Sequence, residues 1–172
     1  MVTAIILSPS LAAPSERAPE AVARSLASLV RASVEGIVRD ALIVGPAGDK
    51  LADIADHAGC AHVEAANVKE GLARALAQAR SEVVFVLEGG YAPLTGFVEE
   101  ASDLLRAGDF RGAALRRAPD TMMTRLAPSL APAVGAFAPR AAVRDAAPRD
   151  LADLVRRLRI RRTLTIRAQK IV

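Results

Sequence analysis

The sequence predicts an α/β fold of three layers, with a mostly parallel central sheet flanked by helices. Two observations predict it. Short, mainly apolar runs (Val2–Leu7, Asp40–Val44, Ala61–Glu64, Val83–Leu87) alternate with stretches whose apolar residues recur every three or four positions. The connections are short, so strand must follow helix through right-handed crossovers into a parallel sheet. At 172 residues, 52% hydrophobic and 24% charged, the chain can bury one core and is not disordered. A single domain over residues 1–172 is expected.

Val2–Leu7 is a buried strand closed by Ser8-Pro9-Ser10. Val22, Leu26, Leu29 and Val30 form one stripe of a helix. Asp40–Val44 is the second strand, and Gly45-Pro46-Ala47-Gly48 turns the chain into a short helix over Asp49–His57 that Gly59 stops. After a third strand, Ala61–Glu64, Asn67 caps a helix with Glu70 three residues on. Val83–Leu87 is the strongest strand signal and runs into Glu88-Gly89-Gly90. Thr95 is the expected cap of a helix buried through Phe97, Val98, Ala101, Leu104 and Leu105. Further on, Phe110–Leu115 and Val134–Phe137 suit strands, 118–132 a loop with a helical turn, Asp150–Leu158 a helix, and Thr163–Arg167 a last strand.

Composition excludes several functions. Aromatic residues make up 3% of the chain, with no Trp and one Tyr, too few for a base-stacking nucleic-acid surface. One cysteine, Cys60, excludes an internal disulfide, and His57 and His62 are too few for a histidine-rich metal centre. No stretch reaches the roughly 18–20 apolar residues of a membrane span, and the apolar N-terminus lacks a basic flank. A cytoplasmic protein is expected. Charge is uneven: residues 140–172 carry ten Arg or Lys against three Asp, and residues 1–139 carry thirteen against sixteen acids. The basic tail suits a phosphate, a nucleic acid or peripheral contact with an anionic membrane, or is a solvated helix face; the scarcity of aromatics argues against the nucleic acid.

Ligands of parallel sheets bind beyond the carboxyl ends of the strands. Here those ends hold Ser8 to Glu16, Gly45 to Asp49, and Glu88 to Leu94. The glycines of Gly89-Gly90 allow close approach to the backbone. The Gly45–Gly48 turn offers a phosphate a helix start, or is simply a tight turn. Glu88 is a candidate ligand for a hard cation, or a solvated acid. Asp150, Asp153 and Arg157 fall within about 60° of each other on the last helix, away from its apolar stripe. An aspartate there is a candidate general base, or half of an i, i+4 ion pair. Arg156 and Arg157 are candidates to clamp a diphosphate.

The order of these segments resembles a family 2 glycosyltransferase, of the nucleotide-diphospho-sugar transferase fold (GT-A type), over most of the chain. Ser25–Val30 and Gly36–Gly45 resemble the family's first helix and second strand. Asp49–Gly59 resembles the helix after its Asp-Gly-Gly-Ser-Thr-Asp turn. Val83–Gly96 resembles the strand and loop of its Asp-x-Asp motif, Ala133–Phe137 its Val-Gly-Gly-Phe, and Asp150–Arg162 its Glu-Asp-x-Asp-Leu helix. The resemblance implies a nucleotide-binding half over 1–107 and a shortened acceptor half over 108–172. It implies transfer of a sugar from a nucleotide sugar, or binding of a nucleotide diphosphate or sugar phosphate by a catalytically silent relative or interaction module. Mg²⁺ or Mn²⁺ would sit on Glu88, with Asp150 and Asp153 as catalytic residues. Ser8, Asp49, Gly89, Gly90, Arg156 and Arg157 would hold the donor. Departures are visible too. The uridine-contacting Asp falls on Val44, the second metal carboxylate on Gly90 and the expected base on Leu151.

Overall fold

The computed structural model describes residues 1–48, 50–107, 110–119, 126 and 131–171. Its strands are β1 (Val2–Leu7), β2 (Val38–Gly45), β3 (Ala61–Glu64), β4 (Val83–Glu88), β5 (Tyr91–Pro93), β6 (Ala113–Arg117), β7 (Ala133–Pro139) and β8 (Thr163–Lys170). Its α-helices are α1 (Ala18–Ser28), α2 (Val30–Val34), α3 (Leu51–Ala58), α4 (Val68–Gln78), α5 (Phe97–Arg106), α6 (Arg140–Ala146) and α7 (Leu151–Arg157).

One sheet runs β3-β2-β1-β4-β7-β6-β8-β5. The β3-β2-β1-β4 half is parallel, as the strand–helix alternation requires. Beyond β4 the sheet is mixed: β7 lies antiparallel to β4 and β6, β8 parallel to β6, and β5 antiparallel to β8. β5 follows β4 after only Gly89-Gly90, yet lies at the far end of the strand order. The sheet therefore curls until its last strands return to the exit of β4.

Side chains alternate between two covered faces. Val2, Ala4, Ile6, Phe85 and Leu87 pack with Val22, Leu51, Phe97 and Leu104 on one side. Ile5, Leu7, Val84 and Val86 pack with Leu72, Leu76, Val143, Leu151 and Leu154 on the other. Fully covered parallel strands explain why the sequence shows continuous apolar runs rather than alternation. Phe85 stacks on Phe137 with centroids 4.3 Å apart, and Phe97 closes the cluster at 5.2 and 5.8 Å.

Several elements depart from expectation. The first predicted helix breaks at Leu29 into α1 and α2, and Val30, expected in the buried stripe, is 59% exposed. Gly96 at φ +93°, not Thr95, caps α5. Asn67 caps α4 as expected: its Oδ1 accepts from Glu70 N–H at 3.0 Å, and Gly59 ends α3 at φ +66°. β8 runs three residues past the predicted end at Arg167 because Ala92 and Pro93 of β5 pair with its extension. The helical turn expected within 118–132 falls largely on residues 120–125 and 127–130, outside the described ones. Among the described residues no helix is long and apolar enough to cross a membrane.

Phe85 is fully buried. Phe85→Ala is expected to cost about 3–5 kcal/mol of unfolding free energy, measured by urea titration. A loss below about 1 kcal/mol would show that the aromatic cluster is not a keystone of the packing.

Candidate functional site

A cavity of about 520 Å³ opens at the carboxyl ends of β1 and β4. That volume suits a small-molecule ligand. Its walls include Ser8 after β1, Arg17 and Ala21 at the start of α1, Glu88-Gly89-Gly90 after β4, Asp150 and Leu151 at the start of α7, and Tyr91 and Lys170 from the β5–β8 pair. The fold thus gathers Ser8, Glu88, Gly89, Gly90 and Asp150 from the sequence-predicted set. It does not bring Arg156 or Arg157 there. Asp49 lies outside the described residues.

The N–H groups of the two glycines are engaged within the protein. Gly89 N–H donates to the Leu7 carbonyl at 2.8 Å. Gly90 N–H donates to Ser25 Oγ at 2.9 Å and to the Ala21 carbonyl at 3.2 Å. Ser25 is fully buried, and its hydroxyl donates onward to the Tyr91 carbonyl at 2.9 Å. The Gly90 carbonyl accepts from Ile171 N–H at 2.9 Å. With both N–H groups engaged, the turn is pinned, and Gly89 and Gly90 offer a ligand close approach without a free amide donor. A Cβ at Gly89 would lie 3.0 Å from the Leu7 oxygen, and Gly90 has φ +92°, which side-chain-bearing residues rarely adopt. Where the resemblance would place a second metal carboxylate, the backbone favours glycine.

Ser8 lines the cavity, but its Oγ accepts from Ser10 N–H at 3.3 Å and caps the 3₁₀ turn Pro9–Leu11. Glu88 is half-buried; burial pushes its carboxyl above the ordinary range, and the negative charge of Asp150 adds to that. Asp150 caps α7 through Oδ1, which accepts from Asp153 N–H at 2.7 Å.

Asp153 corrects the expectation of an outward-facing base. It is 2% exposed. Its Oδ2 accepts from Arg149 N–H at 3.0 Å and Arg157 Nε at 2.8 Å, and its Oδ1 from Arg156 Nη2. Arg149 N–H above all, then Arg157, hold its pKa at about 2. So weak a base, with both oxygens occupied, is poorly suited to take an acceptor's proton. Arg156 and Arg157 are correspondingly committed to Asp153, at the end of α7 away from the cavity.

A hard divalent cation takes several anionic or carbonyl oxygens. Among the described residues no group of three His, Cys, Asp or Glu side chains is placed to hold one. Burial and the nearby Asp150 charge raise the Glu88 carboxyl above its ordinary range, and Asp150 gives one oxygen to a helix cap. These residues do not fit a carboxylate-held Mg²⁺ or Mn²⁺.

Sequence reasoning missed Arg17 and Lys170. Lys170 was hidden because the predicted strand stopped at Arg167. The apolar alternation of Leu164, Ile166 and Ala168 is the signal that β8 continues. Arg17 sits in a loop with no periodicity to mark it.

No family model and no curated protein matches the chain. Solved structures do. Glucosyl-3-phosphoglycerate synthase from Mycobacterium tuberculosis superposes with TM-score 0.59 at 16% identity, over 83% of this chain and 58% of the synthase. A mycobacterial protein gives 0.62 at 17% identity, over 98% of this chain and 64% of that one. 4-Diphosphocytidyl-2C-methyl-D-erythritol synthase gives 0.59 at 16% identity, over 94% of this chain and 86% of that one. The fold is nucleotide-diphospho-sugar transferase-like. The chain spans under two thirds of the first two proteins. The glucosyl-3-phosphoglycerate synthase has been solved with Mn²⁺, UDP and glucosyl-3-phosphoglycerate, and with Mn²⁺, UDP-glucose and phosphoglyceric acid.

Two outcomes test this geometry. Ser25→Ala leaves the Tyr91 carbonyl without its donor and is expected to cost about 1–3 kcal/mol, read from urea unfolding; an unchanged midpoint contradicts the pinning role. The Asp153 pKa, about 2 in the fold against 3.8 ordinarily, is depressed, so its stabilisation holds above about pH 4 and disappears as pH falls toward 2. The stability gap between wild type and Asp153→Asn should therefore narrow over that window. A gap independent of pH would show that the arginines do not act through the ionised carboxylate.

Proposed function

We propose that this chain is a glycosyltransferase-like protein, related in plan to family 2, whose cleft binds a nucleotide sugar or the nucleoside diphosphate left by transfer. The observation that carries the reading is the cavity at the carboxyl ends of β1 and β4, where Ser8, Glu88 and Asp150 meet Arg17 and Lys170. A ligand bearing both anionic and hydroxyl groups matches such a mixed wall. The solved proteins of this fold that hold UDP and UDP-glucose support the choice of ligand class.

Transfer to an acceptor needs a general base. Of the two aspartates in the last helix, Asp150 is the one at the cavity, and we assign it that role. A second reading, binding without transfer, is favoured by the locked state of Asp153 and by the carboxylate-poor rim.

A thermal-shift panel of UDP, UDP-glucose and the cytidine equivalents tests the ligand class. Ligand at a hundredfold over Kd adds about 2.7 kcal/mol, roughly 5–10 °C in Tm for a chain of this size. No shift from any nucleotide at millimolar concentration would refute the reading. Turnover of the bound donor that stops in Asp150→Asn while binding persists supports transfer. Binding with no turnover of any donor supports the second reading.

A further inference from the structure

The end of the chain brings charge to the rim where the acidic motif is missing. β8 lies antiparallel to β5 with Lys170 opposite Tyr91. Ile171 N–H donates to the Gly90 carbonyl at 2.9 Å, and Arg24 Nη1 donates to the Ile171 carbonyl at 3.0 Å. These bonds hold residues 170–171 against the Gly89-Gly90 turn. Arg17 stands at the start of α1, and both cations line the one cavity.

Arg17 and Lys170 have no carboxylate of their own, unlike several other cations of the chain. Arg24 holds Glu20, Arg31 holds Glu35 and Glu99, Arg74 holds Glu70, and Arg149, Arg156 and Arg157 share Asp153. Among the described residues no ion pair or side-chain hydrogen bond engages Arg17 or Lys170. A ligand that fills the cavity displaces water from both, and anionic oxygens on that ligand would give the two cations the direct partners they lack. Arginine supplies a bidentate fork and lysine a mobile point charge, the pair of donors that phosphoryl oxygens accept well. Glu88 and Asp150 line the same cavity as acceptors for hydroxyl donors. Phosphates on the cations and sugar hydroxyls on the carboxylates fit one molecule, a diphosphate ester of a sugar.

Resting on the nucleotide-sugar reading above, we infer that Arg17 and Lys170 bind the diphosphate directly, so that the cleft takes its ligand without a divalent cation. The two basic side chains do the neutralising that a carboxylate-held metal would otherwise do. Both are exposed, so replacing them leaves the core intact.

Isothermal titration of UDP-glucose, UDP, glucose 1-phosphate and uridine tests this, in EDTA and in Mn²⁺. The proteins are wild type, Arg17→Met, Lys170→Met, Lys170→Arg and, as a remote basic control, Arg161→Met, each checked for an unchanged urea midpoint. Wild type is expected to bind UDP-glucose and UDP equally well in EDTA and in Mn²⁺. Each Met variant should weaken both by about tenfold or more, the loss of one charge-assisted contact. Lys170→Arg should recover most of the affinity, and Arg161→Met should match wild type. Binding that requires Mn²⁺, or Met variants with wild-type affinity, overturns the direct contact while leaving the nucleotide-sugar reading intact. Glucose 1-phosphate binding as tightly as UDP-glucose overturns the diphosphate assignment. Wild type binding no nucleotide in either buffer overturns the nucleotide-sugar reading and this inference with it.

Discussion

The buried hydroxyl of Ser25 is the constraint on which the cleft depends. It accepts from Gly90 N–H and donates to the Tyr91 carbonyl, so one side chain of α1 satisfies the backbone on both sides of the turn after β4. Gly89 adds its own bond to the end of β1, and Gly90 receives Ile171 from the end of β8. Three segments distant in sequence, the end of β1, α1 and the end of β8, meet at this turn. Unmade bonds to buried backbone groups are costly, so the turn has one arrangement rather than several. That arrangement fixes where Glu88 leaves the sheet and where Lys170 returns to it.

The same economy governs the acids. Asp153 is buried and ionised only because three arginines and a backbone amide surround it. The neighbouring cap, Asp150, starts the helix that carries these groups. Within one turn of helix the chain holds an aspartate committed to structure and another at the edge of a cavity. Separating the two changes the chemistry proposed for the region: the candidate proton acceptor is the aspartate on the cavity side, and the arginine cluster holds the buried one.

Much of the fold was legible. The apolar runs at Val2–Leu7 and Val83–Leu87 and the Asn67–Glu70 cap are local signals, and local physics fixes them. The antiparallel half was harder, because β6, β7 and β8 are defined by partners far away in sequence. Site residues divide the same way. Ser8 and Glu88 follow from the rule that ligands sit at strand ends, Asp150 from its place at the start of the last helix, and the cavity includes all three. Helical spacing placed Asp153 and Arg157 on one face but could not say that Arg149, Arg156 and Arg157 close over the aspartate, Arg157 also donating to the Ala146 carbonyl of α6 at 3.1 Å. Nor could it see Lys170, whose position depends on a strand pairing across most of the chain.

The most direct test of the account is a crystal structure of the chain with UDP grown in the presence of EDTA. The account predicts the diphosphate in the cavity between β1 and β4, its oxygens within hydrogen-bond distance of Arg17 and Lys170. A diphosphate seated against Arg156 and Arg157, or one that orders only when Mn²⁺ joins it to Glu88, would contradict it.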